Sequence, residues 1–122
     1  MPSVMMKKLF DEHIVIAKIL TGISNEQINS PARAKMFVVL RTALISHTDN
    51  EVDFVYNKLH NYTSLDVSDL LDVYRKVLEV LEKIIMKGEE QEGDFEFVRD
   101  MLLSRVALEE KILFPMYEDG RK

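Results

Sequence analysis

The sequence predicts an all-α protein, an up-down-up-down four-helix bundle. Three observations carry the prediction. Four stretches repeat apolar residues at helical spacing, while none alternates with period two for long enough to make a strand. Only 4 Gly and 3 Pro in 122 residues leave few places to turn, which favours a few long elements. The connections between the four stretches are short, as antiparallel neighbours in a bundle require. The length fits one domain spanning residues 1–122. A composition of 47% hydrophobic and 30% charged residues is that of a globular chain, not a disordered one.

The first segment, about residues 3–23, carries Met6, Leu9, Phe10, His13, Ile16, Ala17 and Leu20 on one stripe, with Ser3 as N-cap. Residues 22–30 mix Gly, Ser and Asn and read as a loop. The second segment opens with Ser30-Pro31, an N-cap followed by proline at the first helical position. It is expected to run to about residue 61, and at that length its first turns would overhang the bundle or be irregular. A short connection over 61–66 leads to the third segment, about 66–87. There Leu70, Leu71, Tyr74, Val77, Leu78, Leu81, Ile84 and Ile85 share a face, and Gly88 follows as the stop. Residues 88–93, Gly-Glu-Glu-Gln-Glu-Gly, form an acidic loop. The fourth segment starts near Asp94, with Val98, Met101, Leu102, Arg105, Leu108, Glu109, Ile112 and Leu113 facing inward. Pro115 should end or kink it.

Composition excludes several classes of function. A net charge of -5 leaves no concentrated basic patch for nucleic acid. With no Cys there are no disulfides, thiolate metal sites or thiol nucleophiles. No run approaches the ~18 apolar residues of a membrane span, and residues 1–10 lack a signal-peptide core, so a cytoplasmic protein is expected. There is neither a Gly-rich phosphate loop nor a Ser-His-Asp pattern.

Each stripe has a polar residue near its middle: His13 on the first, His47 and Glu51 on the second, Tyr74 on the third, Arg105 and Glu109 on the fourth. His47 and Glu51 are one helical turn apart on a face that is otherwise apolar, Leu40, Ala43 and Leu44 before them and Phe54, Val55 and Leu59 after. A polar group aimed inward without a partner costs about 2–7 kcal/mol. Another side chain, a buried water or a metal ion must therefore satisfy these. With alternating helix directions Tyr74 and Arg105 come within about 3 Å of the same level. His60 is expected at the surface or in the following loop.

These residues resemble the hemerythrin-like (HHE) four-helix bundles. That family builds a di-iron site from one His on the first helix, His-x-x-x-Glu on the second, one His on the third and His-x-x-x-Glu on the fourth. Asp11-Glu12-His13 is similar to the first motif and His47 to Glu51 matches the second. Arg105 to Pro115 resembles the fourth, including its Glu-Glu-x-x-Leu-Phe-Pro ending. The departures are Tyr74 at the third-helix histidine and Arg105 at the fourth-helix histidine. Arginine has no lone pair to give to a metal. What the resemblance implies is therefore a reduced site: one metal at most, held by His13, His47, Glu51 and Glu109, with Tyr74 a ligand only as phenolate and Arg105 in place of the second ion. Iron is the family's metal, and two imidazoles with two carboxylates also suit zinc or manganese. The implied roles are sensing, binding or storage of dioxygen, nitric oxide or iron, and a redox enzyme in which Tyr74 ligates iron is a weaker expectation. A homo-oligomer is compatible with the sequence. The competing expectation is a metal-free interaction or regulatory module, its former site closed by an Arg-Glu-His-Tyr network.

Overall fold

The computed structural model describes residues 4–53, 67–113 and 115, and it is a four-helix bundle. Helix α1 spans Val4–Ser24, α2 Pro31–Glu51, α3 Val67–Lys87 and α4 Asp94–Leu108. Sequence neighbours pack side by side and α1 closes against α4. Helices α1 and α3 run toward one end of the bundle, where the loops at 25–30 and 88–93 lie, and α2 and α4 run away from it. Among the described residues there is no strand, and no helix is long and apolar enough to cross a membrane.

The local signals act as expected. Ser30 caps α2, its hydroxyl accepting from Arg33 N at 3.2 Å, with Pro31 just inside the helix. Gly88 and Gly93 flank the acidic loop at φ 72° and 86°, a left-handed conformation that costs glycine nothing. The core joins Ile16, Leu20 and Ile23 of α1 to Phe37, Leu40 and Leu44 of α2. From the other side come Tyr74, Val77, Leu81 and Ile84 of α3 and Phe95, Val98 and Leu102 of α4.

Four expectations need correction or fall outside the described residues. The first turns of α2 do not overhang. Arg33 and Phe37 are buried there, and Gly22 of α1 approaches Met36 so closely that a Cβ would displace its methyl group. Ala17 and Leu108 are exposed, because the buried stripes centre on His13, Ile16 and Leu20 and on Leu102, Arg105 and Glu109, which leaves these two at the outer edge. The continuation of α2 over 54–61, the connection 61–66 and His60 lie outside the described residues, as do the side chains of Leu70, Ile112 and Leu113. Finally, α4 does not run as a regular α-helix up to Pro115. It passes into a π-helical turn at Glu109–Leu113. Pro115, which has no amide donor to give, follows two residues beyond that turn.

At the loop end, Arg33 is the tie. Its Nε and Nη2 donate to the two oxygens of Glu90 at 2.6 and 2.9 Å, and Nη1 donates to the carbonyls of Ile23 and Glu26 at 2.8 and 3.0 Å. The guanidinium also lies over the Phe95 ring, 4.9 Å from its centroid. Asn29 Oδ1 accepts from Glu90 N at 2.9 Å, a second link between the two loops. This closes one end of the bundle and fixes the register at which the polar residues of the four helices meet further along.

Candidate metal centre

The structure brings all six sequence-predicted residues together. His13, His47, Glu51 and Glu109 are each buried, and one ligating atom from each lies within 4.8 Å of the others, so the group could hold a metal ion. Tyr74 and Arg105 stand beside it. The convergence follows from helix periodicity: in each helix the polar residue continues the buried stripe at a step of three or four, so it must point inward at the level where its turn falls.

The two imidazoles meet edge to face, ring centroids 4.6 Å apart at 61°. Their outward nitrogens are each held by a carboxylate: His13 Nδ1 by Glu110 at 2.7 Å and His47 Nδ1 by Glu12 at 2.7 Å. Asn50 Nδ2 donates to the other oxygen of Glu12 at 2.9 Å. The inward nitrogens face the two buried carboxylates. His13 Nε2 is 2.8 Å from Glu109 Oε1 and 3.6 Å from Glu51 Oε1, while His47 Nε2 lies against Glu51 Oε1 and is 3.9 Å from Glu109 Oε1.

The remaining oxygen of Glu109 is taken. Tyr74 Oη donates to Glu109 Oε2 at 2.6 Å and approaches Glu51 Oε1 at 3.1 Å, and Arg105 Nε donates to Glu109 Oε2 at 3.1 Å. The guanidinium sits 5.7 Å from the Tyr74 ring centroid. Tyr74 thus acts as a donor here, not as a phenolate. Its ring also walls off the centre from a groove of about 530 Å³ that Thr48, Leu71 and Leu78 help to line.

Two atoms fit poorly with a network of side chains alone. His47 Nε2 is buried and pressed against Glu51 Oε1 without hydrogen-bond geometry, and Glu51 Oε2 is buried and makes no hydrogen bond among the described residues. Native interiors rarely leave such groups orphaned, and a missing ion is one standard cause. The donor set, two imidazole nitrogens and two carboxylates, is also one that iron, zinc and manganese accept.

Only a cation can sit comfortably between these nitrogens and oxygens, and without a metal that cation is the proton. Burial pulls both imidazoles down. For His13, hydrogen bonds to Glu109 and Glu51 outweigh it and push the ring up to about 9. For His47, burial is likewise outweighed by Glu109, Glu51 and Glu12, and the ring rises to about 10. Burial pushes the Glu51 carboxyl up as well, against the pull of both histidines.

Glu12 and Glu110 were missed by the sequence reading as site residues. The signal was present, since each is adjacent in sequence to an inward residue, His13 or Glu109. In a regular helix, however, adjacent side chains point about 100° apart, which reads as an outward face. Glu12 reaches sideways to the next helix, and Glu110, on the π-helical turn that begins at Glu109, reaches His13. Comparison with family models, with curated proteins and with solved structures gives no match, so the functional reading rests on this geometry.

Proposed function

We propose that this chain is a divergent hemerythrin-like protein whose reduced centre binds one divalent transition-metal ion through His13, His47, Glu51 and Glu109, and that it binds, senses or stores dioxygen, nitric oxide or iron. One observation carries the reading. Two buried imidazoles have their outward nitrogens pinned by carboxylates and their inward nitrogens aimed at two buried carboxylates, with Glu51 Oε2 left without a hydrogen bond among the described residues. That is the arrangement in which metal-ligating histidines are held. The limit to one ion is supported by Arg105 and Tyr74, which occupy the side of Glu109 that a second ion would need. When bound, an iron or manganese ion supplies a one-electron couple, and zinc supplies Lewis acidity alone.

A second reading has its own support: Glu109 already accepts from His13, Tyr74 and Arg105, which is a satisfied ion-pair network. On that reading the bundle is a metal-free interaction or regulatory module. Elemental analysis of protein purified without chelators or an affinity tag separates the two. One iron, zinc or manganese ion per chain supports the reduced centre. Two ions per chain would refute the displacement of the second ion by Arg105. Protein that carries none, and takes up none from solution, is the metal-free module.

A further inference from the structure

We infer that Glu12 and Glu110 are positioning residues for this centre and that they make its two histidine arms unequal: the Glu12–His47 arm retains a divalent ion, and the Glu110–His13 arm opens to admit and release it. The inference rests on the metal-binding reading above and adds to it two residues and an order of events.

Both carboxylates fix the same property. With Nδ1 donating outward, a neutral imidazole carries its lone pair on Nε2, and Nε2 is the atom that faces Glu51 and Glu109. Removing the outer carboxylate frees the ring to turn and to place its proton on either nitrogen. The centre would then lose donors that remain present in the sequence.

The inequality comes from how each carboxylate is itself held. Glu12 lies on the regular part of α1, its side chain is 22% exposed, and Asn50 of α2 grips its second oxygen at 2.9 Å. His47 is thereby held across two helices, by Glu12 from α1 and against Glu51 from α2. Glu110 is 36% exposed, and among the described residues it holds His13 alone. It also sits on the π-helical turn Glu109–Leu113. His13 is bracketed by consecutive residues of that turn, Glu109 on Nε2 at 2.8 Å and Glu110 on Nδ1 at 2.7 Å. One displacement of the turn therefore loosens two of the carboxylates that hold His13, leaving Glu51 at 3.6 Å, while His47 keeps Glu12 and Glu51. Glu110 is also the more water-exposed of the two carboxylates, so a hydrated cation meets it first.

The order of events can be read from rates. If His13 lets go first, the transition state for release still contains the His47 bond and has lost the His13 bond. Weakening the His13 arm then speeds release. Weakening the His47 arm destabilises the bound state and the transition state alike, so the loss appears as slower association. The test uses zinc(II) as the probe, with a chromophoric chelator competing for it, on metal-free wild type and Glu12→Gln, Glu12→Leu, Glu110→Gln and Glu110→Leu. Circular dichroism confirms that each is folded.

The Leu variants should each bind zinc about 10–100-fold more weakly, the usual cost of losing such a partner, and the Gln variants should recover much of that because the amide oxygen still accepts from Nδ1. Glu110→Leu should lose its affinity through faster release and Glu12→Leu through slower association. Any other partition, or full affinity in either Leu variant, overturns the inference while leaving the metal reading intact. Wild type that binds no zinc sinks the metal reading and this inference with it.

Discussion

Loading the centre with a divalent ion at pH 7 should expel two protons. In the metal-free protein burial is outweighed by neighbouring carboxylates, which leaves His13 at about 9 and His47 at about 10, so both rings are imidazolium at neutral pH. Each then holds one proton outward to Glu110 or Glu12 and one inward toward Glu109 or Glu51. A metal needs the inward lone pair, so each ring must give up its inward proton. One dication replacing two protons leaves the charge of the pocket unchanged, and burial therefore does not oppose the exchange. Apparent affinity should climb by about two orders of magnitude per pH unit below pH 9 and level off above pH 10. Burial also pushes the Glu51 carboxyl up, and any proton it holds adds to the count. Zinc titration by calorimetry at pH 7, repeated in buffers of different ionisation enthalpy, yields the number directly. A release of one proton or fewer would mean that an imidazole is already neutral, and the electrostatic account of the pocket would be wrong.

The same raised proton affinities set the stability of metal-free protein. Both folded-state values lie above the ordinary 6.5, so their contribution is complete below that pH and is lost as the pH passes 9 to 10. Each tenfold gain in proton affinity on folding is worth about 1.4 kcal/mol, so denaturant unfolding at pH 6 and pH 10 should differ by several kcal/mol, and zinc-saturated protein by much less. Arg105→Met removes the cation from a buried pair with Glu109 and should cost metal-free protein about 3–5 kcal/mol in urea unfolding. Unchanged stability would show that Arg105 does not neutralise the acids. Tyr74→Phe should cost about 2 kcal/mol in the same assay through the lost bonds to Glu109 and Glu51. Ferric iron added to wild type should give no phenolate-to-iron absorption, since Tyr74 donates instead of ligating. Arg33→Met should lower stability by about 3 kcal/mol by unpairing Glu90 at the loop end, yet leave zinc affinity intact.

The fold was legible because apolar periodicity, the Ser30-Pro31 start and the Gly88 stop all agree, which is what makes a helical pattern unambiguous. The inner site was legible for a related reason. A histidine or glutamate on an apolar stripe breaks the pattern, and the break marks a position that helix geometry forces inward. Arg33 was not legible, because an arginine in a first helical turn looks like a solvated charge until the loop carrying Glu90 folds over it. Glu12 and Glu110 escaped because their roles depend on the next helix and on a π-helical turn, neither of which leaves a periodic trace. Leu108 was placed inward although it is exposed, because spacing alone does not say where a stripe is centred.

The tie made by Arg33 has a consequence for how the bundle breathes. By joining both loops at one end, it turns the first turns of α2, the start of α4 and the end of α1 into one cooperative unit. Amide hydrogens there should exchange with solvent only when the whole domain unfolds. At the other end α2 and α4 both leave the regular α pattern at or just after their carboxylates, Glu51 and Glu109. Those amides should exchange through smaller, cheaper openings, and an ion bridging the carboxylates to His13 and His47 would couple that end to the rest. Deuterium uptake would then become nearly even along the helices, a redistribution of local stability with no change of fold.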